Sequence, residues 1–264
     1  MKNFNFKKSL GQNFIEDDDV INKIVDSALI DKDTLVIEIG PGVGALSEKL
    51  IQKSKNTILY EIDNRLEKLL KEKLYNYDNY ELILKDVLTV SLKDDVSKYV
   101  YNKIIVVANI PYYITTPIIS KLINEIYPDR IVIMIQNEVA DRITANPESK
   151  NYGYMSVFVQ SKYYAQKKFK VDKKYFFPVP KVDSAVIKLD KRTDIKIDDF
   201  SFFDKLVRDS FKYKRKNIKN NLNNYNLLMI NEILKKYNLS IMCRSEQIPV
   251  EVFAEIANVL KNDG

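Results

Sequence analysis

Asn109-Ile110-Pro111-Tyr112 follows the apolar run Lys103-Ile-Ile-Val-Val-Ala108, and its residue types are suited to holding a flat base by its exocyclic amine. Asn109 offers a side-chain carbonyl as acceptor. Pro111 sets the turn and removes an N–H that would compete for the amine. Tyr112 offers a face on which a base can stack. The same four residues also make an ordinary proline turn after a core strand, so their meaning depends on what surrounds them. A second constellation lies upstream in Glu38-Ile-Gly-Pro-Gly-Val-Gly-Ala45, between a strand pattern and a helical one. Gly40 and Gly42 let the chain turn sharply and approach a ligand closely. Glu61, about 20 residues on and just past the next strand, is placed for the two hydroxyls of a ribose. Asp86, past the third strand, is placed to accept from an adenine amine. The glycine pattern and the ribose acid fit NAD as well as S-adenosylmethionine, since both carry an adenosyl group. The fourth strand separates them, because a base-gripping Asn-x-Pro-Tyr suits methyl transfer to an amine and not hydride transfer.

These residues need a scaffold, and the hydrophobic pattern supplies one. Strand-like runs at Leu35–Ile39, Thr57–Tyr60, Tyr80–Leu84, Lys103–Ala108 and Ile131–Ile135 alternate with helical patterns at Ala45–Lys53, Asn64–Tyr75 and Pro117–Ile126. This order predicts a mainly parallel, doubly wound sheet. Tyr163–Val171 and Ser184–Leu189 read as two more strands, joined through an extended loop set by Pro178 and Pro180. Beyond Lys191 only helical patterns remain, at Phe202–Phe211, Leu227–Tyr237 and Pro249–Leu260. The expected organisation is a Rossmann-like domain over residues 1–190 and a small C-terminal helical domain over residues 191–264.

The 264-residue chain contains no histidine and one cysteine, Cys243. Ser-His-Asp and Cys-His catalysis are thereby excluded, as are an intramolecular disulfide and imidazole-dependent metal sites. No metal is expected. No apolar run reaches the ~20 residues needed to span a bilayer, and residues 1–8 have no apolar secretory core, so a cytoplasmic protein is expected. The formal net charge is +6, and Lys205–Lys219 holds seven Lys or Arg against one acid, Asp209. That segment, including Lys212, Lys214, Arg215 and Lys216, suits phosphate contacts that make binding salt-dependent without reading sequence. Arg142 and Arg244 are further candidates. Tyr113 and Phe177 are candidates for the opposite wall of a base pocket, though either also suits core packing.

Together these motifs resemble the small-subunit ribosomal RNA adenine dimethyltransferases. The resemblance runs through Lys8-Ser-Leu-Gly-Gln-Asn-Phe-Ile15, Glu38–Gly44, Glu61-Ile-Asp63, Asn109–Pro117, Gln136-Asn-Glu-Val-Ala-Asp-Arg142, Phe177-Pro-Val-Pro-Lys-Val-Asp-Ser184 and Arg215–Leu222. It implies a class I S-adenosylmethionine-dependent methyltransferase fold and dimethylation of the N6 amine of adjacent adenosines near the 3′ end of 16S rRNA during assembly of the 30S subunit, by a monomer. It places Asn13, Ile15, Gly40, Glu61, Asp86 and Asn109 around the cofactor, folds the N-terminal segment over it, and gives Asn109, Ile110, Pro111 and Tyr112 the catalytic role. Ile15 stands where leucine is usual, and Lys85 where glycine is usual. The related Erm-type 23S rRNA methylases of antibiotic resistance share the Asn-x-Pro-Tyr motif but tend to have Gln where Pro117 stands. They form the first alternative; a nucleic-acid-binding relative without activity is the second.

Overall fold

The computed structural model describes residues 13–15, 17–110 and 114–262. A short strand β1 (Phe14–Ile15) leads into helix α1 (Asp18–Ala28), strand β2 (Thr34–Ile39), helix α2 (Ser47–Lys53) and strand β3 (Asn56–Tyr60). Next come helix α3 (Glu67–Lys73), strand β4 (Tyr80–Ile83), helix α4 (Leu92–Val96), strand β5 (Lys103–Asn109), helix α5 (Thr115–Glu125) and strand β6 (Arg130–Gln136). Helices α6 (Asn137–Ile143) and α7 (Tyr154–Gln160) precede strands β7 (Tyr163–Val171), β8 (Phe176–Phe177) and β9 (Ser184–Lys191). Helices α8 (Phe200–Ser210), α9 (Ile218–Asn221), α10 (Leu227–Lys236) and α11 (Val250–Asn262) close the chain.

The main sheet runs β4-β3-β2-β5-β6-β9-β7. Neighbours from β4 through β6 are parallel, and β9 enters antiparallel to β6. All six residues of β2 are buried, which a parallel strand covered on both faces requires and which explains its near-unbroken apolar run. Helix α1 covers one face. Asp17 caps it by accepting from Val20 N at 2.9 Å, Asp18 and Asp19 complement its first turn, and Ile21, Ile24 and Val25 join Val36, Ile105, Val107 and Val132 in one core cluster. Chain order reverses between β2 and β5: β3 and β4 lie on one side, β6 on the other. The crevice of a doubly wound sheet opens at such a switch point, beyond the carboxyl ends of the strands.

Two compact units are present. One comprises the described residues through Ala140 with Gln166–Lys191; the other comprises Asp141–Ala165 with the residues from Arg192 onward. Residues 141–165, which the sequence pattern groups with the 1–190 domain, pack with the C-terminal helices: Tyr152 and Val157 share a core with Phe203, Leu206, Ile230, Leu234, Phe253 and Ile256. The Tyr152 hydroxyl donates to the Ile248 carbonyl at 2.9 Å. Their placement follows from tertiary packing, for which local composition carries no signal.

Candidate active site

The glycine turn leaves β2 at Gly40, whose N–H donates to the Tyr60 carbonyl at 2.9 Å. Gly40 and Gly42 have φ of 74° and 59°, the left-handed region that side chains other than glycine enter at a cost. The Asn109 carbonyl lies 3.5 Å from where a Gly40 Cβ would stand, so the ends of β2 and β5 meet at the switch point.

Three carboxylates stand at or just past the ends of three adjacent strands: Glu38 on β2, Glu61 after β3 and Asp86 after β4. Glu61 is 4% exposed. Its Oε2 accepts from Gly42 N at 3.0 Å and its Oε1 from Asp63 N at 2.9 Å. Burial raises its pKa, and the two backbone N–H groups oppose that rise. Asp86 Oδ1 accepts from Leu88 N at 2.9 Å. Glu38 is buried beneath the turn, and neither of its oxygens nor the nearby Ser47 hydroxyl has a hydrogen-bond partner among the described residues. Burial pushes its pKa up to about 8, aided by the Glu61 charge and opposed by the Ser47 dipole and Lys73. Glu38 is therefore mainly protonated at neutral pH.

This lining bears on the two cofactor classes left open by the glycine pattern. In a dinucleotide site the second glycine lets the backbone reach a pyrophosphate. Here the Gly42 N–H is taken by Glu61, and the Phe14 ring covers Gly42, with Cε1 2.6 Å from where a Cβ would stand. An anionic pyrophosphate would meet carboxylates and an apolar ring. A cofactor bearing an ammonium and a sulfonium meets complementary charge.

The chain N-terminal to α1 is tied to this turn. Phe14 and Ile15 pair antiparallel with Phe177 and Phe176, and Ile15 is buried. The Asn13 carbonyl accepts from Asn109 Nδ2 at 3.1 Å. Only the amide nitrogen can donate to a carbonyl, so this bond sets which end of the Asn109 amide is which and leaves Oδ1 as the acceptor. Ile110 is buried, with its N–H on the Met134 carbonyl at 3.3 Å. Phe177 is 45% exposed. Pro111, Tyr112 and Tyr113 lie outside the described residues. One position that sequence pattern alone passes over belongs here as well: Phe14, whose signal was only its place beside Asn13 and Ile15; Ile62, next to Glu61 in the chain, is 49% exposed.

The cationic candidates lie in the second unit. Lys212, Lys214, Arg215 and Lys216 are exposed on the turn between α8 and α9 and not along a helix face. Lys214, Arg215 and Lys216 pair with no carboxylate among the described residues. Arg208, by contrast, pairs with Asp204 at 3.0 Å. Arg244 joins that turn, because its backbone bridges to Asn217 and the Cys243 carbonyl accepts from Ile218 N at 2.8 Å. Arg142 is exposed on the last turn of α6, outside this pairing. Among the described residues no group of three His, Cys, Asp or Glu could hold a metal ion, and no helix is long and apolar enough to cross a membrane.

Known proteins resemble this chain over most of its length. A ribosomal RNA small subunit methyltransferase A from Bacillus pumilus is 44% identical over 275 residues, spanning 98% of this chain and 92% of the relative. A dimethyladenosine transferase structure from Plasmodium falciparum superposes with a TM-score of 0.77 at 27% identity, covering 95% of this chain and 98% of that one. The 23S rRNA methyltransferase ErmE superposes at 0.75 with 26% identity, covering 94% and 99%. The family model described as ribosomal RNA adenine dimethylase matches residues 3–262, and the chain belongs to that family of rRNA-modifying enzymes.

Proposed function

We propose that this enzyme uses S-adenosylmethionine to dimethylate the N6 amines of adjacent adenosines near the 3′ end of 16S rRNA in the immature 30S subunit. The observation that carries the reading is the bond from Asn109 Nδ2 to the Asn13 carbonyl, which leaves Oδ1 as the acceptor at the end of β5. The adenine amine is a poor nucleophile because its lone pair is delocalised into the ring. Asn109 Oδ1 and the Ile110 carbonyl would accept from its two N–H bonds and draw the nitrogen towards tetrahedral geometry. Tyr112 would stack on the ring, with Phe177 on the opposite wall. The bound cofactor supplies a methyl group on a sulfonium, a good leaving group. Glu61 would take the ribose hydroxyls, Asp86 the adenine amine of the cofactor, and Ile62 one face of that adenine. Phe14 and Ile15 would hold water away from the glycine turn. Catalysis is then mostly positioning, to which ~7–11 kcal/mol can be assigned in well-oriented reactions. The target base must leave its stack to enter, and the α8–α9 turn with Arg244 would grip the flanking phosphates.

The small-subunit target is supported by the name of the relative that is 44% identical; the ErmE likeness, at 26%, supports a large-subunit target less strongly. Asn109→Asp separates the chemistry from binding. A carboxylate cannot donate to the Asn13 carbonyl, so its oxygens are repelled and the acceptor is misplaced. Methyl transfer to unmethylated small subunits is expected to fall about 10²–10³-fold, as for other preorganised amides, with cofactor affinity by calorimetry changed far less. Label on large-subunit RNA alone would establish the resistance-methylase reading instead. Undiminished transfer by the variant would refute the role of Asn109.

A further inference from the structure

The turn between α8 and α9 carries apolar surface among its cations. Tyr213 is 55% exposed, and Met242, beside the segment that the Asn217–Arg244 bridge ties to the turn, is 60% exposed. Resting on the phosphate grip proposed above for this turn, we infer that Tyr213, with Met242 alongside, is a platform on which an unpaired base of the rRNA stacks while Lys214, Arg215 and Lys216 hold the neighbouring phosphates. The platform lies wholly in the second unit, whereas the methylated amine is assigned to Asn109 and Ile110 of the first. The base it takes is therefore a docking nucleotide and not the target.

Both residues are anchored through α9 and its cap. Asn221 clamps the Tyr213 main chain, its Oδ1 accepting from Tyr213 N at 3.2 Å and its Nδ2 donating to the Tyr213 carbonyl at 3.3 Å. Asn217 Nδ2 donates to Met242 Sδ at 3.6 Å. Asn221 N in turn donates to the Asn217 carbonyl at 3.1 Å, so the two anchors stand one helical turn, ~6 Å, apart. A segment fixed in advance loses less entropy on binding. Elsewhere in this unit Tyr154, Tyr164, Tyr225 and Tyr237 each donate their hydroxyl to a carboxylate; the Tyr213 hydroxyl makes no such bond among the described residues. Lys212 Nζ lies over one face of the Tyr213 ring, 5.5 Å from its centroid, and among the described residues no ring or second cation covers the other. Charge sets the kind of partner. Lysine is depleted where proteins bury surface against one another, whereas a nucleic acid brings both the anion and the flat ring. In an A-form duplex the bases are stacked and the major groove is closed to side chains, so the ring selects a loop, bulge or single strand.

The test measures binding of the full-length enzyme to a short single-stranded RNA, and to the same sequence as a duplex, across a salt series. Tyr213→Ala keeps the Asn221 clamp, whose bonds are to the main chain, and thermal unfolding checks its fold. It is expected to lose about 5–50-fold in affinity for the single strand, with the salt slope unchanged because stacking neutralises no phosphate, and to bind the duplex as the wild type does. Tyr213→Phe should retain single-strand affinity, and Met242→Ala should cost about 2–10-fold. Undiminished single-strand binding by Tyr213→Ala, an equal loss on the duplex, or a lowered slope would overturn the platform while leaving the phosphate grip standing. Salt-independent binding of both RNAs by the wild type would overturn the grip and the platform together. Absence of methyl transfer to small subunits by the wild type, assayed alongside, would overturn the proposed reaction alone.

Discussion

Gly42→Ala should be far more damaging than Gly40→Ala, and the difference can be worked from the glycine turn. Both residues have positive φ, 59° and 74°, which costs an alanine about 1–2 kcal/mol. At Gly40 a Cβ meets only the Asn109 carbonyl at 3.5 Å, an ordinary contact. At Gly42 it meets Phe14 Cε1 at 2.6 Å and Cδ1 at 2.8 Å, so the ring must leave. Phe14 is 8% exposed, and giving up its burial costs about 1.5–3 kcal/mol. Gly42→Ala is therefore expected to destabilise by about 2.5–5 kcal/mol and Gly40→Ala by about 1–2 kcal/mol. Denaturant unfolding of a double-mutant cycle with Phe14→Ala isolates the steric part. In the Phe14→Ala background Gly42→Ala should cost only the backbone strain, a coupling of about 1.5–3 kcal/mol. Cofactor titration of the same proteins should show affinity falling with Gly42→Ala and with Phe14→Ala. Additive losses of stability would refute the reasoning, because they would mean that the ring does not lie on the turn.

Three more outcomes follow from the same geometry. Glu61→Gln keeps the shape but offers one acceptor where two backbone N–H groups converge, so it loses a charge-assisted bond of about 1.5–3 kcal/mol; cofactor affinity by calorimetry should fall about 10–100-fold. Glu38 has its folded-state pKa raised from 4.5 to about 8, so between those values the unfolded chain sheds a proton that the native one keeps. Wild-type stability should then fall with rising pH across that window by about 1.4 kcal/mol per unit relative to Glu38→Gln, as urea unfolding at several pH values can show; parallel profiles would count against a buried neutral acid. Replacing Lys214, Arg215 and Lys216 together by Ala should weaken RNA binding across sequences and lower the salt slope by about three, and an unchanged slope would take phosphate contact away from that turn.

Much of the fold was legible in local pattern. A strand buried on both faces must be apolar almost throughout, so β2, β3, β5 and β6 stand out as short runs, and the alternation of β7 marks its bounds from Tyr163 to Val171. The Asn64–Tyr75 pattern resolved into a 3-10 turn at Asn64–Leu66 followed by α3, because Asp63 accepts from Arg65 N and caps the shorter turn. The pair β1–β8 left no trace, since two-residue strands have no periodicity to read. Candidate residues separated in the same way: Gly40, Glu61 and Asp86 each follow a strand end, Asn109 is the last residue of one, and all four could be placed from spacing.

The amino-acid sequence by itself determined which chemistry is open. The absence of histidine excludes whole reaction classes whatever the fold, and glycines after a strand compel a turn with bare backbone. Only the tertiary structure decided how those parts act on one another. It brought the Asn13 carbonyl to an amide 96 positions away, laid Phe14 over Gly42 and set Glu61 on its N–H, thereby favouring a cationic cofactor over a dinucleotide. It also moved residues 141–165 into the second unit and joined Arg244 to the α8–α9 turn. Such contacts arise when distant segments close on a common core, and their energy depends on packing and desolvation that no short window of sequence contains.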